Sequence, residues 1–471
     1  MSKTIPFIIV ALVFAGINLN ADQIDTYITD HLKKQQVPGL SLAVLRNGKV
    51  IKSRGYGLAS VELNAPATPR TAYQLASDTK QFTATAIMLL VQDGRVRLSD
   101  SITNYLGALP SSWSNITVRH LLTMTSGIKD YLDRVPESAW REDFTRERLI
   151  HLMTDLPLDF LPGEEFRYSN SNYVLLAMII QKVSHRSYNS FLGEQVFGPL
   201  GMTATRCDSL SDVITNRAAL YEWESNRLVN VRFLNPTLWN NGDGGLISTA
   251  MDLAKWDAAL YDDRILSASM RAEMWTPVKL NNGKTQPYGF GWDVGELRGH
   301  RWVGHGGGRP GASTQITRFL SDRLTVIVLM NGPGTARDVA LHIGGLYISG
   351  LTLSSMKPQR DPDPDMTQRL KQCLFDLAET RDSALITPEF REDYAKFKSL
   401  GADLPKRLSN LKSFTYVTTE KPSAYGPNPL AGVTRFCSYK LVSTDETDET
   451  RFYTFELTAD NHVAWYLSLS D

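Results

Sequence analysis

The chain has 471 residues, and its 50 Lys and Arg balance 50 Asp and Glu, so the formal net charge is zero. This length exceeds one small core and implies a large domain with a smaller companion, and the 42% apolar content is that of a globular protein. No Lys/Arg-rich block is present to track phosphates or anionic lipid, which excludes nucleic acid as an expected partner.

The first residues read MSKTIPFIIVALVFAGINLNA. Lys3 precedes an apolar run from Ile5 to Ile17, and a short polar segment ends at Ala21. This is the layout of a secretory signal peptide over residues 1–21, with Leu19 larger than the small residue usual two positions before the cut. An uncleaved anchor is the competing reading, but the run is shorter than the ~20 residues a spanning helix needs. No cysteine follows the run, which speaks against a lipid anchor, and no later segment is apolar enough to span. The expectation is an exported protein, periplasmic or secreted, with no stable membrane span after cleavage. Export permits disulfides. Cys373 and Cys437 could pair; three buried thiols, with Cys207, is the alternative. No Cys/His spacing indicates a metal site.

Pro38 to Ser60 reads as two strands joined by an Asn47-Gly48 turn. Asn172 to Ser184 reads as a buried helix, and Gly245 to Leu260 turns helical after Ser248-Thr249, a candidate cap. Ser313 to Asn331 reads as strand, turn at Ser321-Asp322-Arg323, and strand, followed by a helix over Val339 to Ile348. Strands at both ends of a helical middle imply an α+β fold: an antiparallel sheet, bringing the two ends together, flanked by helices. The catalytic candidate domain spans 22–356. Lys357 to Asp365, rich in Pro and charge, reads as a linker. Residues 366–471 read as a smaller α+β domain: a helix over Met366 to Asp382, a charged helix near Phe390 to Leu400, then an antiparallel meander in which Val463, Trp465, Leu467 and Leu469 alternate with polar neighbours.

Three stretches carry candidate chemistry. Ser77 and Lys80 lie three apart where the chain enters the apolar run Phe82 to Leu90. Residues at this spacing share a helical face. A serine hydroxyl becomes a nucleophile when a neighbour takes its proton, and a lysine with a lowered pKa can do so. Ser-x-x-Lys recurs at Ser126, Ser354 and Ser409, but those copies fall in loops or linkers. The competing reading is a capping Ser77 with Lys80 reaching solvent. Tyr168-Ser169-Asn170 is the only Tyr-x-Asn in the chain. A phenol relays protons if a nearby ammonium lowers its pKa from about 10; a tyrosine packed at a loop end is the alternative. His305-Gly306-Gly307-Gly308 precedes a strand, where glycines allow close approach to the backbone. The amide of Gly308 could pair with that of Ser77 as an oxyanion hole; a glycine-rich turn with a surface histidine is the alternative. His342-Ile343-Gly344 repeats the letters inside an expected helix and is set aside.

The order and context of these motifs resemble the serine β-lactamase and penicillin-binding family, in its class C-related hydrolase branch. The stretches ITVRHLLTMTSGI, LPGEEFRYSNSNY, GDGGLISTAMDLAKW and GHGGGRPG add to the likeness, which covers Ile24 to Ile348. The resemblance implies Ser77 as the acylated nucleophile, with Lys80 and Tyr168 sharing general-base and general-acid work. It implies Asn170 as support for the lysine and the substrate. His305, Gly306 and Gly307 would line the opposite wall, and the N–H groups of Ser77 and Gly308 would form the oxyanion hole. No cofactor and no metal are implied.

Two residues depart from the family pattern. Met124 stands where many relatives carry His, which removes an expected local hydrogen bond. His305 stands where β-lactamases and DD-peptidases carry Lys. A histidine is mostly neutral at pH 7 and holds a substrate carboxylate less strongly. His-Gly-Gly resembles the esterase and D-aminopeptidase members. The expected activity is acyl-enzyme hydrolysis of an ester, small amide or peptide, with D-residues among the candidates. A DD-peptidase or weak β-lactamase acting on cell-wall peptides is the alternative, and a non-catalytic ligand-binding sensor the second. The sequence leaves the oligomeric state open.

Overall fold

The computed structural model describes residues 23–107, 109–209, 211–231, 242–357, 359–396, 404–421, 432–444 and 450–470. The leader read over residues 1–21 lies outside them. Contacts divide the chain into two compact units: residues up to Gly295 with His300–Gly344, and Glu296–Gly299 with Gly345–Asp471. The division falls ahead of the Lys357 to Asp365 stretch.

The first unit is built on β1 (Gly39–Arg46), β2 (Lys49–Ser60), β3 (Ala65–Pro66), β4 (Asp293–Leu297), β5 (His300–Arg309), β6 (Ala312–Phe319) and β7 (Leu324–Met330). They form a seven-stranded sheet in the order β4-β5-β6-β7-β1-β2-β3. The β1–β2 turn is Asn47-Gly48, with φ of 53° and 70°. That left-handed pair matches the strand twist and favours these two residue types. The two ends of the unit meet where β1 pairs antiparallel with β7, Leu42 opposite Val328. All of β7 and nearly all of β1 are buried, so these central strands read as continuous apolar runs rather than alternating ones.

Three helices position the site: α1 (Lys80–Gln92), α2 (Asn170–Ser184) and α3 (Ala250–Ala259). The expected cap is real: the Thr249 side chain accepts from the Asp252 N–H at 3.1 Å. Phe82 on α1 packs on Trp256 of α3 with ring centroids 4.8 Å apart, and the Trp256 indole donates to Gln81 Oε1 at 2.6 Å. Asp257 on α3 is buried against Arg318 of β6 and accepts from Thr325 of β7 at 2.7 Å. Removing one partner of such a buried pair costs about 3–5 kcal/mol. The helix expected over Val339 to Ile348 is α4 (Ala336–Tyr347), and His342 lies within it, stacked on Tyr27.

The second unit holds α5 (Pro364–Ala378), α6 (Pro388–Lys396) and α7 (Leu404–Ser409) with the antiparallel sheet β8 (Leu411–Glu420), β9 (Val433–Ser443), β10 (Thr450–Thr458), β11 (Val463–Ser470). The end of the expected linker is helix instead: Asp363 caps α5 by accepting from Met366 N–H at 3.0 Å, and Pro364 fits the first turn, whose N–H has no intrahelical partner. Leu370, Leu374, Tyr439, Phe455 and Val463 share a core of their own. Cys373 and Cys437 are buried in that core as free thiols, and Cys207 is also free.

Candidate active site

Ser77 lies on a 3-10 turn, Ala76–Thr79, that runs directly into α1. Ala76 just before it has φ +46°, a left-handed conformation that costs a residue with a Cβ about 1–2 kcal/mol. The turn is pinned from both sides. Leu75 N–H donates to Leu246 O at 2.8 Å, Leu246 N–H to Thr79 Oγ1 at 3.1 Å, and Thr314 Oγ1 to Leu75 O at 2.9 Å. Strain of this kind persists where the surroundings over-determine it. The turn has no side-chain cap, so Ser77 is not spent on capping the helix.

Lys80 is 0% exposed. Its ammonium donates to Ser77 Oγ at 2.9 Å, Asn170 Oδ1 at 2.8 Å and the Asp243 carbonyl at 2.7 Å. Burial pushes its pKa down to about 8, while the carboxylates of Asp243, Asp130 and Asp293 pull the other way. The amine is therefore available as a base near neutral pH. The reading in which Lys80 reaches solvent is excluded.

The Tyr168 hydroxyl faces Ser77, whose hydroxyl acts to lower its pKa, and Lys80 Nζ lies 4.8 Å from the ring centroid. Tyr168 leaves 38% of its surface open, yet its hydroxyl end is enclosed. That enclosure, with the carboxylates of Asp293 and Asp243, raises the phenol well above its usual value. This corrects the expectation that the ammonium lowers it: desolvation wins, and Tyr168 stays a neutral O–H.

Asn170 opens α2 and is held by Asp130, whose Oδ2 accepts from its backbone N–H at 3.0 Å and its Nδ2 at 2.8 Å. Asp243 is buried. Its Oδ2 accepts from Tyr131 O–H at 2.9 Å, and burial lifts its carboxyl to about 6. Sequence reasoning missed both acids. Each follows or sits inside a stretch quoted for its likeness, and neither carries a local signature.

His305 is buried in β5 rather than on the surface. Its Nδ1 lies 2.7 Å from Gly306 O, which can only accept, so Nδ1 carries the hydrogen and Nε2 accepts from Tyr288 O–H at 3.2 Å. Burial and the Lys80 charge lower its pKa, so the ring is neutral at pH 7. Gly307 lies flat against the turn that carries Ser77: a Cβ there would stand 2.0 Å from Leu75 O. Ser77, Tyr168, Asp293, His305, Gly306 and Gly307 line one cleft of about 360 Å³. Gly308 lies opposite Ser313 and lines an adjoining pocket of about 540 Å³ with Arg309 and Trp223. Met124, where a hydrogen bond was expected to be lost, accepts a weak one: Asn172 Nδ2 donates to its sulfur at 3.4 Å.

A buried lysine hydrogen-bonded to a serine hydroxyl beside an antiparallel sheet fits the serine hydrolase class. The chain belongs to the β-lactamase family, whose model, described as Beta-lactamase, matches residues 24–345. It is 34% identical to Penicillin-binding protein 4* of Bacillus subtilis (strain 168) over 315 residues, 64% of this chain and 69% of that one. It is 34% identical over 244 residues to Protein flp of Staphylococcus aureus (strain NCTC 8325 / PS 47), covering 51% of this chain and about half, 48%, of the relative. Among solved structures, D-amino acid amidase from Ochrobactrum anthropi SV3, complexed with L-phenylalanine, matches with a TM-score of 0.60 at 26% identity, over 67% of this chain and 92% of that one. The octameric penicillin-binding protein homologue from Pyrococcus abyssi shares the fold over 95% of this chain and 100% of its own, with a TM-score of 0.61 at 23% identity. No helix among the described residues is long and apolar enough to cross a membrane.

Proposed function

We propose that this protein is an exported serine hydrolase that forms an acyl-enzyme at Ser77 and hydrolyses an ester, a small amide or a peptide, including substrates with D-residues. The observation that carries the reading is the Lys80 nitrogen, buried and shared between Ser77 Oγ and Asn170 Oδ1. In its free-base form Lys80 takes the Ser77 hydroxyl proton while Oγ bonds to the substrate carbonyl carbon. The backbone N–H groups of Ser77 and Gly308 receive the oxyanion. As the tetrahedral adduct collapses, the leaving group departs with a proton passed from Lys80 through the Tyr168 hydroxyl. Water then adds to the acyl ester, Lys80 takes its proton, and Oγ leaves with that proton as the acid is released. Asn170 orients the lysine, and His305, Gly306 and Gly307 form the facing wall. The substrate is a small molecule or peptide, and the signal-like residues 1–21 support export to the periplasm or medium.

The likeness to a protein named penicillin-binding favours a second reading, a DD-peptidase or weak β-lactamase on cell-wall peptides. The neutral His305 weighs against it, because a substrate carboxylate finds no cation at that position. Intact-mass spectrometry with a fluorophosphonate, a penicillin and a short activated ester, run beside Ser77→Ala, tests both. Adducts confined to Ser77 with fast ester turnover support the hydrolase. A rapid, long-lived penicillin adduct supports the cell-wall reading. No Ser77 adduct from any probe would leave a sensor that binds without acylation.

A further inference from the structure

Asp293 begins β4 and lines the same cleft as Ser77, Tyr168 and His305. A tight loop delivers it. Tyr288 and Asp293 bridge antiparallel, Gly289 N–H donates to Trp292 O at 2.8 Å, and Trp292 is fully buried. Gly291 between them has φ +75° and touches the start of α1: a Cβ there would stand 2.6 Å from Lys80 O. The loop that supplies the Tyr288 hydroxyl to His305 thus fixes a carboxylate beside the reaction centre. Asp293 is half-buried, and its side chain makes no ion pair and no hydrogen bond among the described residues. Lys80 acts on it without an ion pair, so its oxygens stay open to donors that a ligand brings into the cleft.

The charges around it fit one kind of ligand. Carboxylates of Asp243, Asp130 and Asp293 act on the buried Lys80 ammonium, the Arg309 guanidinium acts on Asp243, and the facing His305 is neutral. Among the described residues that line the cleft, Arg337 is the one Lys or Arg, exposed and 5.8 Å from the Trp302 ring centroid. We infer that Asp293 is a specificity-determining residue that binds a cationic amino group of the substrate, so that the preferred substrates are amino esters, amino amides or peptides with a free amine near the scissile carbonyl. This inference rests on the serine hydrolase reading above.

The test compares kcat/KM within matched pairs: alanine p-nitroanilide of each hand against its N-acetyl form, and acetylthiocholine against a neutral alkyl thioacetate. The wild type should prefer the cationic member of at least one pair by about tenfold or more. Asp293→Asn should lower that ratio at least fivefold, and Asp293→Lys should invert it. Calorimetry with alaninamide of each hand provides a readout that needs no turnover: binding to the wild type should weaken at least fivefold in Asp293→Asn. Equal rates within both pairs, or a preference that survives in Asp293→Asn, would overturn the inference. So would preference for an anionic substrate, which would assign recognition to Arg337. Loss of Ser77 labelling would sink the hydrolase reading itself, while the calorimetric comparison would still decide the role of Asp293.

Discussion

Asp130 holds Asn170 twice through one oxygen, leaving the Asn170 carbonyl oxygen no direction but toward Lys80. An amide can turn over and present nitrogen where oxygen stood; the Asp130 carboxylate accepts only, so it fixes the orientation. Asp130→Ala frees that amide. Stranding a buried donor costs about 1–3 kcal/mol, so kcat should fall roughly 10–100-fold with KM little changed. Asp130→Asn keeps an acceptor oxygen and should recover part of the loss. Steady-state kinetics of both variants on one ester decide it, and a change in KM alone would count against a positioning role.

The lowered pKa of Lys80 sets the pH dependence. The charged amine cannot take the serine proton, so acylation follows the neutral fraction, about 1% at pH 6, about 10% at pH 7 and half at pH 8. The acylation rate constant should rise close to tenfold per unit below about pH 8 and level above it. Rapid-mixing measurement of acyl-enzyme formation between pH 6 and 9.5 gives the profile. A flat profile would remove Lys80 as the base.

Tyr168 stays protonated across this range, so its use is to donate and relay. Activated esters have leaving groups that depart without a proton; amides do not. Tyr168→Phe should therefore cost an amide about 10²–10⁴-fold in kcat and a p-nitrophenyl ester markedly less. Equal losses on both would point to nucleophile activation instead.

His305→Lys would set a fixed cation on the wall opposite Tyr168. The second-order rate of acylation by benzylpenicillin should rise about tenfold, as expected from one added ionic contact of about 1.4 kcal/mol. Mass-spectrometric progress curves of the adduct measure it, and an unchanged rate would show that the histidine is not what disfavours carboxylate-bearing substrates.

Much of this was legible in the sequence because it is local. Asn47-Gly48 names its turn, Thr249 its cap, and the apolar run after Lys80 its helix. The meeting of β1 with β7 followed from strands at both ends of a helical middle. The acids were illegible for the opposite reason. Asp130, Asp243 and Asp293 matter only by where the fold carries them, and an isolated Asp in a loop carries no periodicity or spacing. The direction of the Tyr168 shift was equally hidden, because a nearby cation can be read from motifs while enclosure of a hydroxyl cannot. The start of α5 was masked by its prolines and charges, which serve a cap and a first turn as readily as a linker.

Lys80 Nζ bonds Asn170 and Asp243, 90 and 163 positions away along the chain. Such contacts form only after long loops close, so no fragment of the sheet or of the helical layer carries them alone. The serine hydroxyl is thus inert until the first unit has folded through to completion. A chain crossing a membrane unfolded would carry no reactive nucleophile in transit, and labelling of Ser77 doubles as a count of molecules that have reached the native state.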